Sequence, residues 1–175
     1  MEISHVTHES IPPFINMDSE ILILGSLPSV KSREYGFFYA HKQNRFFKTL
    51  AMVFNEEEPI TIEQRKSFLK KHHIALYDVI YECDIVGSSD SSIRNVVPID
   101  IESILKHYPN IKKIFTTGKK SKELYDKYLL KESGIDAVPL PSTSPANATI
   151  SQEKLVEHIA LLKTKQVPKW HFLFT

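Results

Sequence analysis

A chain of 175 residues is long enough to bury one full core and short for two domains, so a single domain over residues 1–175 is expected. Its 42% hydrophobic and 25% charged residues are those of an ordinary globular protein. A net charge of +1 excludes a uniformly basic nucleic-acid-binding surface but leaves room for a local basic patch. One cysteine, Cys83, excludes an internal disulfide and any four-cysteine cluster.

No run of roughly 18 apolar residues predicts a membrane span. The start, MEISHVTHES, has neither the basic nor the apolar region of a secretory signal, so the cytoplasm is the expected location. None of the eight histidines falls in an HExxH pattern, and no metal is expected. His72 and His73 read as solvated residues at a helix end, where cations are favoured.

In chain order, residues 1–17 read as a polar arm that ends extended at Pro12-Pro13-Phe14. Residues 20–24 are apolar enough for a strand buried on both faces. A loop of about twenty residues follows, and from Asn44 the spacing of Phe46, Phe47, Leu50, Ala51, Val53 and Phe54 predicts a helix. Thr61 is the expected N-cap of a helix over 62–72. Ile74 to Ile80 predicts a second buried strand, and Tyr81 to Asp100 a second long loop.

Asp100 caps a short helix, and Lys113 to Thr117 is a third strand closed by Gly118. A helix should then run from Lys119 to about Lys131. Ala137 to Leu140 is a fourth strand, placed near an edge because Pro139 cannot donate to a ladder. Ser151 caps the last helix, and the tail at 165–175 alternates Trp170, Phe172 and Phe174. Strands alternating with helices predict an α/β fold: a three-layer α/β/α sandwich around a mainly parallel four-stranded sheet.

The stretch Gly25 to Phe47, GSLPSVKSREYGFFYAHKQNRFF, holds a tight turn, basic side chains (Lys31, Arg33, Lys42, Arg45), six aromatic rings and an Asn before a helix. A connector of this length inside a compact domain is more often functional than incidental. Ligands of open parallel sheets bind beyond the carboxyl ends of the strands, and GSLPS, the 83–95 loop, TTGKK and LPSTSPAN all leave such ends. Neither a Walker A loop nor GxGxxG is present, so no nucleotide cofactor is expected.

Taken with LPSTSPAN at 140–147, that stretch resembles the uracil-DNA glycosylase superfamily, and more closely its DNA-deoxyinosine (hypoxanthine-DNA) branch. The AH-x-x-NRF segment at 40–46 is similar to that of mismatch-specific uracil glycosylases, and GSSDSSI at Gly87–Ile93 to the deoxyinosine branch. The similarity covers roughly Glu20 to Leu162.

The resemblance implies a monofunctional glycosylase that hydrolyses deaminated bases from DNA, hypoxanthine preferred. It implies a damaged DNA partner with a flipped-out base, a monomer, no membrane, and no metal or organic cofactor. In the first motif, Gly25-Ser26-Leu27-Pro28-Ser29, Leu27 replaces the Asn that orients water in the mismatch-specific enzymes. The resemblance assigns the catalytic polar role to Asn44, whose amide would accept from the water and position it, and makes Tyr39 the ring that stacks on the base. Gly25, Ser26, Leu27, Asp78 and Asp90 complete the expected base site.

The expected DNA contacts are Pro28, Ser29, Lys31, Arg45, Lys119 and Lys120, with Ser144, Pro145, Ala146 and Asn147 in the position of the family's S-P-L-N motif. Ser142 replaces the His or Asn that opens that motif, which shifts base-anion stabilisation to other donors. Plainer readings stand beside these: Asn44 as a helix cap, Tyr39 as core packing, Asp78 as a turn residue, Asp90 as an Asx turn, and the 119–122 lysines as a solvated face. The rivals in function are a uracil or mismatch-specific uracil glycosylase and a nucleic-acid-binding module without turnover.

Overall fold

The computed structural model describes residues 2–87, 90–164 and 171. Its centre is a four-stranded parallel sheet in the order β3-β2-β6-β7, formed by β2 (Ile21–Gly25), β3 (Ile74–Asp78), β6 (Lys113–Thr117) and β7 (Ala137–Leu140). β2 is paired on both sides and Leu22, Ile23 and Leu24 are fully buried, which is why its sequence is an unbroken apolar run. β7, with its Pro139, stands at the edge as expected. The opposite edge, β3, is covered by the N-terminal segment: Phe14 exchanges two backbone hydrogen bonds with Leu76, at 3.0 and 2.9 Å.

A second sheet went unread in the sequence. β1 (Ile3–Thr7), β4 (Ile80–Val86) and β5 (Arg94–Pro98) form an antiparallel sheet in the order β1-β4-β5. The stretch read as one strand over 74–80 ends at Asp78, and Ile80 already belongs to the next sheet. Residues 81–86 and 94–98 of the supposed 81–100 loop are strand. Three of the five β1 residues are exposed and β4 is buried only at intervals, so neither carries the apolar run that marked the central strands. At the junction, Val79 and Ile80 donate to the carbonyls of Gly25 and Ser26, at 2.8 and 3.0 Å. The two sheets are therefore stitched together where β2 ends.

Helices flank the parallel sheet. The long 25–47 segment contains α1 (Val30–Tyr35), capped by the Ser29 hydroxyl and closed by Gly36 at φ 83°. α2 (Phe46–Phe54) and α3 (Ile62–Lys71) follow, α3 with a full capping box between Thr61 and Gln64. α4 (Ile101–His107) is capped by Asp100, and the helix expected to reach Lys131 breaks at Leu129 into α5 (Lys119–Tyr128) and α6 (Leu130–Ser133). α7 (Gln152–Ile159), capped by Ser151, packs on α2.

His72 corrects its expectation: it is half-buried, stacked on Phe54 with ring centroids 3.8 Å apart, and bonded to the Glu56 carboxylate. His171 is buried, with Nδ1 2.6 Å from Nδ1 of His158 and Nε2 on the Pro139 carbonyl, so the chain returns to β7 after α7. Trp170, Phe172 and Phe174 lie outside the described residues.

Ser121 of α5 donates its hydroxyl to the Leu24 carbonyl at 2.7 Å, in a fully buried position. This bond pins α5 to the last apolar residue of β2. Ser121→Ala should therefore lower stability by about 1 kcal/mol, seen as a lower urea midpoint with an unchanged m-value.

Candidate active site

The carboxyl ends of β2, β3 and β6 converge on Gly25, Asp78 and Thr117. Gly25 stands opposite Asp78 in the parallel register. A Cβ built on Gly25 would lie 2.4 Å from Oδ1 of Asp78 and 3.8 Å from Oγ1 of Thr117, so the glycine is required by the carboxylate beside it. Asp78 is 5% exposed, and its other oxygen, Oδ2, lies 2.9 Å from Nε2 of His8.

Tyr39 closes this cluster. Its hydroxyl hydrogen-bonds Oγ1 of Thr117 at 2.9 Å, and its ring stacks on Phe46 at 3.9 Å with the planes 12° apart. Its φ of 53° is in the left-handed region, an uncommon and strained state for a bulky residue. Burial first, and the Asp78 carboxylate second, push the Tyr39 phenol well above its ordinary pKa, while the Thr117 bond opposes the shift. The ring is neutral and rigid. Half-buried Tyr39 is thus both packed on the core, as its plainer reading held, and part of the polar cluster.

Asn44 joins two motifs 99 residues apart in the chain. Its Oδ1 accepts from the Phe46 backbone N–H at 2.9 Å and from the Thr143 hydroxyl at 2.8 Å. The backbone donor fixes which end of the amide is oxygen. Both Oδ1 lone pairs are spent, so the expected role of accepting from a water does not fit. Among the described residues the amide's NH₂, which donates, has no hydrogen-bond partner.

Arg45 also departs from expectation. Its guanidinium donates to the carbonyls of Ile150 and Asn147, at 2.9 and 3.1 Å, and its backbone N–H to Thr143 at 3.1 Å. It braces the second motif loop from below. Asn147 itself donates to the Ser142 carbonyl at 3.0 Å, while Ser144 caps the Pro145–Asn147 turn through Ala146 N. Pro28 is buried, which removes it as a surface contact; Ser29, the α1 cap, and Lys31 are exposed, Lys31 3.5 Å from Glu34. Ser26 and Leu27 are half-buried, Leu27 against the core and Ser26 holding Ile80 through its carbonyl.

Lys119 and Lys120 open α5 directly after Gly118, whose added Cβ would lie 3.5 Å from Ser142. Cations at a helix N-terminus oppose its dipole, and no acidic residue stands in this first turn. The placement makes sense beside an anion. Asp90 is not brought to the cluster: it opens a 3-10 turn at Asp90–Ser92, beyond the far end of β4. The seven residues of β4 carry the chain about 20 Å away from Ile80. His8, which sequence reasoning missed, sits in a polar stretch with no motif around it. Only the pairing of β1 with β4 brings it to Asp78.

The carboxyl end of the parallel sheet presents Gly25 and Tyr39, and Asn44 joins the loops that carry the first and second motifs. The model of the uracil DNA glycosylase superfamily matches residues 12–165. The chain belongs to that superfamily. A protein of Methanosarcina barkeri named hypoxanthine DNA glycosylase is 36% identical over 141 residues, covering 79% of this chain and 87% of its own. One of Methanosarcina acetivorans with the same name is 31% identical over 153 residues, 87% of this chain and 96% of its own. A solution NMR structure from Methanosarcina acetivorans, of a candidate uracil DNA glycosylase, superposes with a TM-score of 0.74 at 29% identity, over 88% of this chain and 97% of that one. The expected glycosylase fold is thereby established. No helix among the described residues is long and apolar enough to cross a membrane.

Gly25→Ala tests how tightly the superfamily's first motif is bound to β3. The new methyl must displace the Asp78 carboxylate or move the backbone, and the stability loss should be about 1–3 kcal/mol in a thermal melt.

Proposed function

We propose that this protein is a monofunctional DNA glycosylase that releases hypoxanthine from deoxyinosine in DNA. The observation that carries the reading is the Asn44 amide, which ties the first motif loop to the second and whose NH₂ has no partner among the described residues. Relatives named for this activity, together with superfamily membership over most of the chain, support it.

The target nucleotide must leave the stack, at a cost of a few kcal/mol, and be held by rings and polar edges. Gly25, Ser26, Leu27 and Tyr39 form its pocket, with Tyr39 held rigid by Phe46 and Thr117. Stacking on one such ring offsets about 1–3 kcal/mol of the extrusion cost. Lys119, Lys120, Ser29, Lys31 and the Ser144–Asn147 turn take the phosphates on either side. Arg45 serves the DNA indirectly, by holding that turn in shape. The protein acts as a monomer.

Bond cleavage passes through an oxocarbenium-like sugar and a purine that gains negative charge. Asn44, a donor at its free end, cannot take a proton from water. Its NH₂ orients the water oxygen or the departing base by hydrogen bonding, and rate comes from stabilising charge rather than from a strong base. No lysine in the motifs is placed for Schiff-base chemistry, and the product is an intact abasic strand.

Two substitutions at Asn44 separate cap from chemistry. Asn44→Ala removes both and should cost about 1 kcal/mol of stability as well as activity. Asn44→Asp keeps the oxygen that caps α2 and receives Thr143 but loses the donor. On single-turnover release from inosine duplexes, both variants should fall by about 100-fold or more, with Asn44→Asp keeping its melting temperature. Uracil duplexes run alongside decide the branch: release of uracil and not hypoxanthine would assign the chain to the uracil-cleaving enzymes. Salt-dependent DNA binding without release of either base would leave a binding module.

A further inference from the structure

The two motif loops meet at one buried hydroxyl. Thr143, in the middle of the second motif, is 1% exposed, and its Oγ1 lies 2.8 Å from Oδ1 of Asn44 at the end of the first. A threonine between Ser142 and Ser144 carries no signal of its own, and the sequence reading gave it no part.

The direction of this bond is fixed. A carboxamide oxygen can only accept, so the Thr143 hydroxyl is the donor. Oδ1 also accepts the Phe46 N–H at 2.9 Å. The Phe46 bond settles which end of the amide is oxygen, but it does not settle the plane. The terminal torsion of an asparagine is broad, and about a single hydrogen bond the amide can swing. The second donor comes from elsewhere: Phe46 is two residues along the chain, and Thr143 is 99 residues away. Two donors of independent origin on one oxygen hold the plane, and with it the direction in which the NH₂ donates. The Thr143 bond adds nothing to the helix cap, since the Phe46 N–H has its acceptor with or without it.

Thr143 is itself held in place for this. Its carbonyl accepts the Arg45 N–H at 3.1 Å, so its main chain and its side chain bond two consecutive residues, 45 and 44. Further along the same loop, the Arg45 guanidinium takes the carbonyls of Asn147 and Ile150. The Asn147 amide turns back to the Ser142 carbonyl at 3.0 Å, beside Thr143. The hydroxyl cannot drift from the Asn44 amide without straining these bonds.

We infer that Thr143 is a positioning residue of base release, whose hydroxyl sets the plane of the Asn44 amide so that its NH₂ meets the water oxygen or the departing base. The inference rests on the glycosylase reading above. Thr143 touches neither reactant and acts only through Asn44. Because the hydroxyl belongs to the second motif, Asn44 takes its working orientation only when that loop is in place.

The test is single-turnover base release from 2′-deoxyinosine duplexes at saturating enzyme, at a temperature where every variant is folded by circular dichroism. DNA affinity is measured beside it by fluorescence anisotropy. Thr143→Val keeps the shape and removes the donor, Thr143→Ser restores the donor, and Asn44→Ala is made alone and with Thr143→Val. If Thr143→Val does not fold, Thr143→Ala takes its place under the same criteria. Misplacing a reacting group by about 1 Å can cost about 100-fold, but here one of two hydrogen bonds survives, so Thr143→Val should slow release about 10-fold. Thr143→Ser should stay within about threefold of wild type, and DNA affinity should change by less than about threefold in both. In the Asn44→Ala background, Thr143→Val should slow release no further, because the group it positions is gone.

Four results would overturn the assignment. They are a folded Thr143→Val protein releasing hypoxanthine at the wild-type rate, Thr143→Ser as slow as Thr143→Val, a full further loss in the Asn44→Ala background, or a loss confined to DNA affinity. Each of these leaves the glycosylase reading in place. Wild type that releases no hypoxanthine at all overturns both.

Discussion

The site depends on one strand. β2 is hydrogen-bonded on both sides and buried at every position, so its end is fixed in space by two parallel ladders, by Val79 and Ile80 bonding to its last carbonyls, and by Ser121 beneath it. Strand ends in parallel sheets are where main-chain groups and loops come free to meet a ligand. Here the register adds a specific consequence. It sets Gly25 against Asp78, and the absent side chain of one leaves room for the charged side chain of the other. Shifting β3 by one residue would turn Asp78 to the other face and bring Tyr77 or Val79 in its place.

Around that end the loops are held by local devices that also serve function. Oδ1 of Asn44 satisfies an orphan N–H at the start of α2 and takes the Thr143 hydroxyl, so one amide both starts a helix and closes the gap between two loops. Arg45 spends its guanidinium on the carbonyls of Asn147 and Ile150. A side chain committed in this way loses the freedom that would otherwise be lost on binding DNA, which is the thermodynamic advantage of a preorganised loop. Tyr39 is similarly fixed: its backbone strain is maintained by stacking on Phe46 and by the Thr117 bond, and the cost is recovered as a ring that does not move.

How much of this was legible in the sequence follows from what each element buries. β2, β6 and α2 are marked by apolar runs or helical spacing because their surroundings are apolar, and the caps at Thr61, Asp100 and Ser151 are marked by their own chemistry. The antiparallel sheet is half-solvated, and Glu82 and Asp84 in β4 hide its periodicity. Asn44 and Tyr39 could be singled out because they lie in a motif. What the sequence could not express was which end of the Asn44 amide is free, that Arg45 faces inward, or that the 90–92 turn is carried away along β4. His8 had no motif at all. Its role depends on a strand pairing between residues 3–7 and 82–86, and a contact of that span leaves no local signature.

That long-range contact bears on how such a site tolerates the loss of its usual groups. A glycosylase needs stabilisation of the sugar cation and of the departing base, but the physics does not prescribe which strand delivers the polar group. Leu27 and Ser142 remove polarity from two loops, while Asp78 and His8 bring a carboxylate and an imidazole together from a strand end and an arm. A buried carboxylate without a partner would be costly. His8 is the group brought beside that carboxylate, so the antiparallel sheet that carries it is tied to the end of the central strands.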